Sequence, residues 1–238
     1  MDHCFYHHNC MDGWASAAIV FEYGYVSRFN FHSSKYDDVV DLDMIEKGSK
    51  VYIVDFSFAI EVMKAIDKKA DLIWCDHHIT ALEAAEKADF HPSGIRNIKL
   101  AGGELTWQYF NKDIKIPECL ELLGKYDTWR YTENEKERVM DFRFGLETYD
   151  LSITSSVWKK IFNDSRILKS QVLIGGHAVN IFKDKRNKIY CEDYAFETSL
   201  KVHGVHYNVI AMSTPDNSSV IFDSVYDPDK HDLITLYR

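Results

Sequence analysis

The run Leu72-Ile73-Trp74-Cys75-Asp76-His77-His78 passes from four apolar residues directly into one acid and two imidazoles. The apolar half predicts a buried strand. Acids and imidazoles are costly to bury unless they are paired or bind metal. A strand that ends in Asp-His-His therefore brings one oxygen and two nitrogen donors to the carboxyl edge of a sheet, where open α/β sheets hold their ligands. The pattern recurs upstream. Val51-Tyr52-Ile53-Val54 is a second apolar strand and ends in Asp55. Cys4-Phe5-Tyr6 runs into His7-His8-Asn9-Cys10-Met11-Asp12-Gly13, which opens a helix. Three strand ends thus carry Asp or His, a register that scattered surface acids would not produce.

Working outward, the first half alternates strand and helix. Helices are predicted over Asp12–Tyr23, Asp41–Lys47, Ala59–Lys69 and Ile79–Lys87. Strands are predicted over Cys4–Tyr6, Val26–Phe31, Val51–Val54 and Leu72–Cys75. This alternation argues for an α/β fold, a parallel sheet with helices on both faces. Beyond Gly103 the pattern turns helical, over Glu104–Phe110 and Glu118–Lys125, and reaches Tyr126-Asp127-Thr128-Trp129-Arg130. Residues 131 to 170 are polar and predict helices and a linker. From Gln171 the composition shifts. Ile189–Phe196, Leu200–Val202, His206–Met212 and Leu233–Tyr237 predict strands of a smaller α+β domain. The expected organisation is an α/β domain over 1–130, a helical linker over 131–170 and a smaller C-terminal domain over 171–238.

Composition narrows the function. The formal net charge over 238 residues is −9, whereas proteins that track long nucleic acids carry basic stripes. The one basic cluster, Lys183 to Lys188, is expected to be a solvated turn between strands. Five cysteines are spread along the chain with no Cys-x-x-Cys pair, so neither a zinc knuckle nor a disulfide framework is expected. No apolar run is long enough for a membrane span, and the N-terminus has no signal-peptide pattern. A reduced cytoplasmic setting is expected, with no membrane partner.

The chemistry follows from donor types. Hard divalent cations take oxygen and imidazole ligands. A pair of them can activate water and stabilise both oxygens of a phosphoryl displacement. If the strand ends converge, His8, Asp12, Asp55, His77 and Asp127 supply such a site, and His78 remains free to face a phosphate. His7 adjoins His8, so either one can be the histidine ligand. Cys10 is either a ligand or a small residue under the helix. Trp129 and Arg130 follow Asp127 and are candidates to line a substrate cleft.

His8-Asn9-Cys10-Met11-Asp12-Gly13, Asp55, Asp76-His77-His78 and Asp127 together resemble the four motifs of the DHH phosphoesterase superfamily, across residues 3 to 130. That superfamily includes RecJ exonucleases, oligoribonucleases of the NrnA and NrnB type, cyclic-dinucleotide phosphodiesterases and family II pyrophosphatases. The resemblance implies a two-metal phosphohydrolase with Mn2+ as cofactor, with a Rossmann-like catalytic domain over 1–130 and a smaller C-terminal substrate-binding domain over 171–238. The net charge favours short oligonucleotides or small phosphorylated nucleotides as substrates, in a chain that can form a homodimer. It implies that Asp55 bridges the metals and that His77, Asp127 and Asp12 complete one site. His8 would serve the other site, His78 would contact phosphate, and Asp76 would orient an imidazole. Two departures stand out. Cys10 occupies a position where the family places an Asp, and a thiolate suits zinc or iron better than manganese. The family's glycine-rich run followed by His is missing after Gly204; Gly175-Gly176-His177 has the letters but lies earlier in the chain. A pyrophosphatase-like hydrolase, or a degenerate member that binds nucleotides without cleaving them, are the alternatives.

Overall fold

Strands β1 (Asp2–His7), β2 (Phe29–Ser34), β3 (Lys50–Val54) and β4 (Asp71–Cys75) form an all-parallel sheet in the order β2-β1-β3-β4. The structure is a computed structural model and describes residues 1–24, 29–214 and 218–237. Part of the expected strand Val26–Phe31 falls outside the described residues; the strand that is described runs on to Ser34.

The central strands are apolar throughout because both faces are covered. Phe5, Val51, Ile53, Leu72 and Trp74 point to one face. There they pack on Ile60, Met63 and Ile66 of α2 (Ile60–Asp67) and on Ala85 of α3 (Ile79–Lys87). Cys4, Tyr52, Val54, Ile73 and Cys75 point to the other face. There they meet Ala17 and Val20 of α1 (Met11–Tyr23) and Leu105 of α4 (Gly102–Phe110). The period of two along each strand sorts the residues between the faces. The expected helix at Asp41–Lys47 is only a single 3-10 turn, Leu42–Met44.

The chain falls into two compact units, Met1–His177 and Ala178–Arg238. The divisions expected at 130 and 170 differ from this, for a physical reason. Residues 131 to 170 contain α6 (Glu133–Leu146), α7 (Ser156–Phe162) and the start of α8 (Arg166–Tyr194). Val139, Phe142 and Leu146 of α6 and Trp158 and Ile161 of α7 join Leu120 and Leu123 of α5 (Glu118–Asp127). All of them cover Ala15, Ala18 and Ile19 of α1. This segment is therefore core, not linker.

The second unit corrects two further expectations. Ile189–Phe196 is not a strand: α8 runs to Tyr194, and β5 (Phe196–Val202) begins after it. No Gly or Pro interrupts residues 177 to 194, and the Lys and Arg residues of the basic cluster are good helix formers. The Arg186 guanidinium lies 5.6 Å over the Tyr190 ring, one turn on, so that cluster is a helix segment and not a turn. Cys191 packs on Ile210, Met212, Ile221 and Phe222. β5 and β6 (Val205–Ser213) form a hairpin turned at His203 and Gly204, both at positive φ. β7 (Leu233–Tyr237) pairs with β6 in parallel. No helix among the described residues is long and apolar enough to cross a membrane.

Candidate metal centre

From β1 the chain crosses to β2 on one side, while β3 pairs on the other. The crevice at the carboxyl ends of β1 and β3 is therefore a topological switch point, the usual ligand position in such sheets. His7 ends β1, and Asp55 follows β3. Asp55 has φ +50°, a left-handed conformation that costs of order 1–3 kcal/mol in a non-glycine residue and is common at functional sites. Its N–H donates to the Cys75 carbonyl at 2.9 Å, which anchors it to β4. Asp76, His77 and His78 follow β4, Asp12 lies in the first turn of α1, and Asp127 is the last residue of α5.

These side chains converge. Asp55 Oδ1 is 3.1 Å from His77 Nε2, which is 3.4 Å from Asp127 Oδ2. Asp55 Oδ2 faces His7 Nδ1 at 3.8 Å. Three overlapping groups have donor atoms within 4.8 Å of one another: His7, Cys10 and Asp55; Asp12, His77 and Asp127; and Asp55, Asp76, His77 and His78. Two glycines open α4 against them. A Cβ at Gly102 would stand 2.5 Å from the Asp55 Cβ, and one at Gly103 would stand 2.9 Å from Asp12 Oδ1. The Gly103 N–H instead donates to Asp12 Oδ1 at 3.0 Å.

The donor set fits divalent cations. Asp12 Oδ2 and Asp55 Oδ2 are buried with no hydrogen-bond partner, an arrangement proteins avoid unless something else satisfies the oxygens. Burial, then the neighbouring Asp55 and Asp127, push the Asp12 carboxyl well above its usual range. Burial and Asp55 push Asp127 up to about 6. Burial also works against charge on Asp55, but the His7 and His77 imidazoles overcome it and hold this carboxyl well below the usual range. Three crowded carboxylates with two orphan oxygens and two imidazoles form a cation-binding set of the hard-to-borderline type.

Asp76 has a different job. It is fully buried, and Oδ2 accepts the Ser57 hydroxyl at 2.5 Å. Oδ1 accepts the His77 N–H at 2.8 Å and pairs with His78 Nδ1 at 2.6 Å. Burial disfavours charge on His78, but the hydrogen bond and charge of Asp76 outweigh it and raise the imidazole to about 9.

The other candidate residues separate clearly. The structure brings His7, not His8, to Asp55. His8 is exposed, with Nδ1 at 2.8 Å from Ser33 Oγ and its backbone N–H on Ser34. β1 ends at His7, and His8 already lies in the turn that follows, where its side chain meets Ser33. Cys10 joins His7 and Asp55, and burial followed by the surrounding carboxylates raises its thiol well above the usual range. Trp129 is exposed at the end of α5. Arg130 is not free: its Nη2 donates to both carboxylate oxygens of buried Glu104 at 2.8 Å, bracing α4 against the end of α5. The Ala101 N–H donates to the same carboxylate. His177 lies apart from the cluster, on α8, paired with Asp141 and Glu137 of α6 at 3.0 and 3.4 Å. Glu104, Ser57 and Tyr36 were missed by sequence reading. The glycine pair before Glu104 was the only visible signal. Tyr36, on the turn after β2, sets its ring 5.5 Å from that of His7 and 6.2 Å from that of His78.

No protein-family model matches the chain. An uncharacterized protein, R106, of Acanthamoeba polyphaga mimivirus is 24% identical over 231 residues; the alignment covers 84% of this chain and 53% of that protein. The chain therefore spans about half the length of that relative. An uncharacterized protein from Helicobacter pylori G27 superposes with a TM-score of 0.50 at 13% identity, covering 93% of this chain and 78% of that one. The DHH domain of a protein described as belonging to a family of ribosomal proteins superposes with a TM-score of 0.57 at 12% identity, over 99% of this chain and 71% of that one. The chain has the fold of a DHH domain, with its candidate metal centre at the switch point of the parallel sheet.

Proposed function

We propose that this chain is a metal-dependent phosphoesterase that hydrolyses short oligonucleotides or small nucleotides. The observation that carries the reading is the convergence of His7, Asp12, Asp55, His77 and Asp127 with two orphaned carboxylate oxygens. Asp55 would help hold both cations, since one of its oxygens faces His77 and the other faces His7. Asp12 and Asp127 complete the side shared with His77, and Cys10 lies on the His7 side. Two divalent cations there, manganese by the family resemblance, would supply Lewis acidity and a water acidified toward neutral pH. Asp76 holds His78 by Nδ1 and keeps it protonated at neutral pH, so the imidazole donates to a phosphoryl oxygen or to the leaving group. Trp129 offers an exposed ring beside Asp127.

The net charge of −9 supports a short substrate that offers few phosphates. The test is hydrolysis of a dinucleotide, of inorganic pyrophosphate and of a long single strand, each with and without Mn2+. Manganese-dependent turnover of the dinucleotide, abolished in Asp55→Ala, is expected. Turnover of pyrophosphate alone would make the chain a pyrophosphatase. Nucleotide binding with no turnover of any substrate would make it a binding protein.

A further inference from the structure

Tyr36 is an exposed aromatic ring held in place beside the metal centre, and the chemistry above leaves it without a task. It lies on the turn after β2. Asp38 fixes that turn: its Oδ2 accepts the Lys35 N–H at 2.7 Å, and its own N–H donates to the Lys35 carbonyl at 3.1 Å. One face of the Tyr36 ring is stacked on Phe56, with centroids 5.2 Å apart and planes 30° apart. Phe56 is itself completely buried, and its neighbour Phe58 braces it edge-on at 4.8 Å. The edges of Tyr36 meet the rings of His7 and His78. The residue is nevertheless 62% exposed, so one face is supported and much of the ring is open to solvent.

A supported ring with an open face is how proteins present a stacking platform to a base, and such stacking tolerates any base because each has a π-face. The separation also suits a nucleotide. A phosphate that reaches His78 and the Asp55 cluster puts its own sugar and base within reach of Tyr36. We propose that Tyr36 is the base-stacking platform of this site and confers preference for nucleosidic phosphates over phosphates that lack a base. This rests on the phosphoesterase reading for the position of the phosphate.

The platform can be separated from a mere cover over Phe56. Tyr36→Leu keeps an apolar cover but has no π-face, and Tyr36→Phe keeps the face but loses the hydroxyl. The probes are non-hydrolysable phosphonate analogues of AMP and of ribose 5-phosphate, titrated into the protein in the presence of Mn2+. Dinucleotide hydrolysis by the wild type is measured in parallel. Tyr36→Leu should weaken the AMP analogue about 5- to 150-fold, the range base stacking covers. Its affinity for the ribose analogue should stay within about twofold, and Tyr36→Phe should behave as wild type. Equal AMP affinity in Tyr36→Leu and wild type overturns the proposal, as does an equal loss in Tyr36→Phe and Tyr36→Leu. If the wild type cleaves the dinucleotide but does not distinguish the two analogues, the platform falls and the hydrolase reading stands. If it cleaves nothing while Tyr36→Leu still removes the preference for AMP, the hydrolase reading falls and the platform stands.

Discussion

His78 Nδ1 lies 2.6 Å from Asp76 Oδ1, and the other oxygen of Asp76 accepts the Ser57 hydroxyl. Asp76 is completely buried, so this carboxylate is spent on aiming its neighbours. The imidazole of His78 is thereby fixed in orientation and in charge, and its ring is still partly open to solvent. On the proposed reading, Asp76 and His78 act together as a positioned proton donor beside the candidate metal centre rather than as ligands.

His78→Ala should keep metal content near wild type and lower kcat by about 10²-fold or more, the scale of a positioned acid–base group. Asp76→Asn leaves the imidazole in place but removes the charge that favours its proton. The alkaline limb of the pH–rate profile should then move to lower pH. Metal analysis and pH–rate profiles check both. Loss of bound metal in His78→Ala would make that residue a ligand.

Asp12 gives a test of the centre that does not depend on turnover. It is buried, crowded by Asp55 and Asp127, and has one oxygen without a partner. Asp12→Asn removes a charge that the metal-free protein holds at a cost. Its Tm without metal should equal or exceed that of wild type at neutral pH, while the rise in Tm on adding Mn2+ should shrink or vanish. Stabilisation at the expense of ligand binding is the expected signature of a functional site. Thermal unfolding with chelator and with Mn2+ measures both. A clear loss of metal-free stability would mark Asp12 as a structural cap.

Three strands of the sheet and the residues that end them were legible because burial on both faces leaves apolar runs whose only polar residues come at the ends. Asp55 and Asp76-His77-His78 stand out for that reason. The choice between His7 and His8 was not legible, since it depends on how far β1 extends before the turn. Ile189-Tyr190-Cys191 has strand-like residues, yet the helix begun at Arg166 carries through it. The role of Val139, Phe142 and Trp158 in covering α1 was hidden by the polar residues between them. Arg130 resembled a substrate ligand until its partner Glu104, distant in sequence, came into view.

A second imidazole pair lies away from the centre and predicts a pH effect on stability. His3 Nδ1 and His32 Nε2 are 3.0 Å apart across β1 and β2. One proton between two nitrogens makes a hydrogen bond; a proton on each turns it into repulsion. Burial, then the N-terminal amine, lowers His3, and burial, then His3, lowers His32. Below about pH 6.5 the unfolded chain binds protons that the folded chain refuses. Stability should therefore be full above that pH and fall as pH drops through it. His32→Phe should flatten the dependence between pH 7 and 5 in denaturant titrations. An unchanged slope would show that other groups carry it.

On the proposed two-cation reading, Cys10 would set the character of the first metal position. It lies with His7 and Asp55, and its thiol is held protonated by burial and by the carboxylates around it. Without a cation the thiol is an inert reagent target; a cation beside it would favour the thiolate. Oxygen donors suit manganese better than sulfur, and sulfur favours zinc. Cys10→Asp should tighten Mn2+ and weaken Zn2+ relative to wild type, with activity in Mn2+ equal or higher. It should also lower metal-free stability, because a fourth carboxylate enters the cluster of Asp12, Asp55 and Asp127. Competitive metal titration and thermal unfolding in chelator read the two effects. If Cys10→Asp abolishes activity while Cys10→Ala leaves metal preference and turnover unchanged, the thiol is only packing against the start of α1. The first metal would then be held by His7 and Asp55 alone.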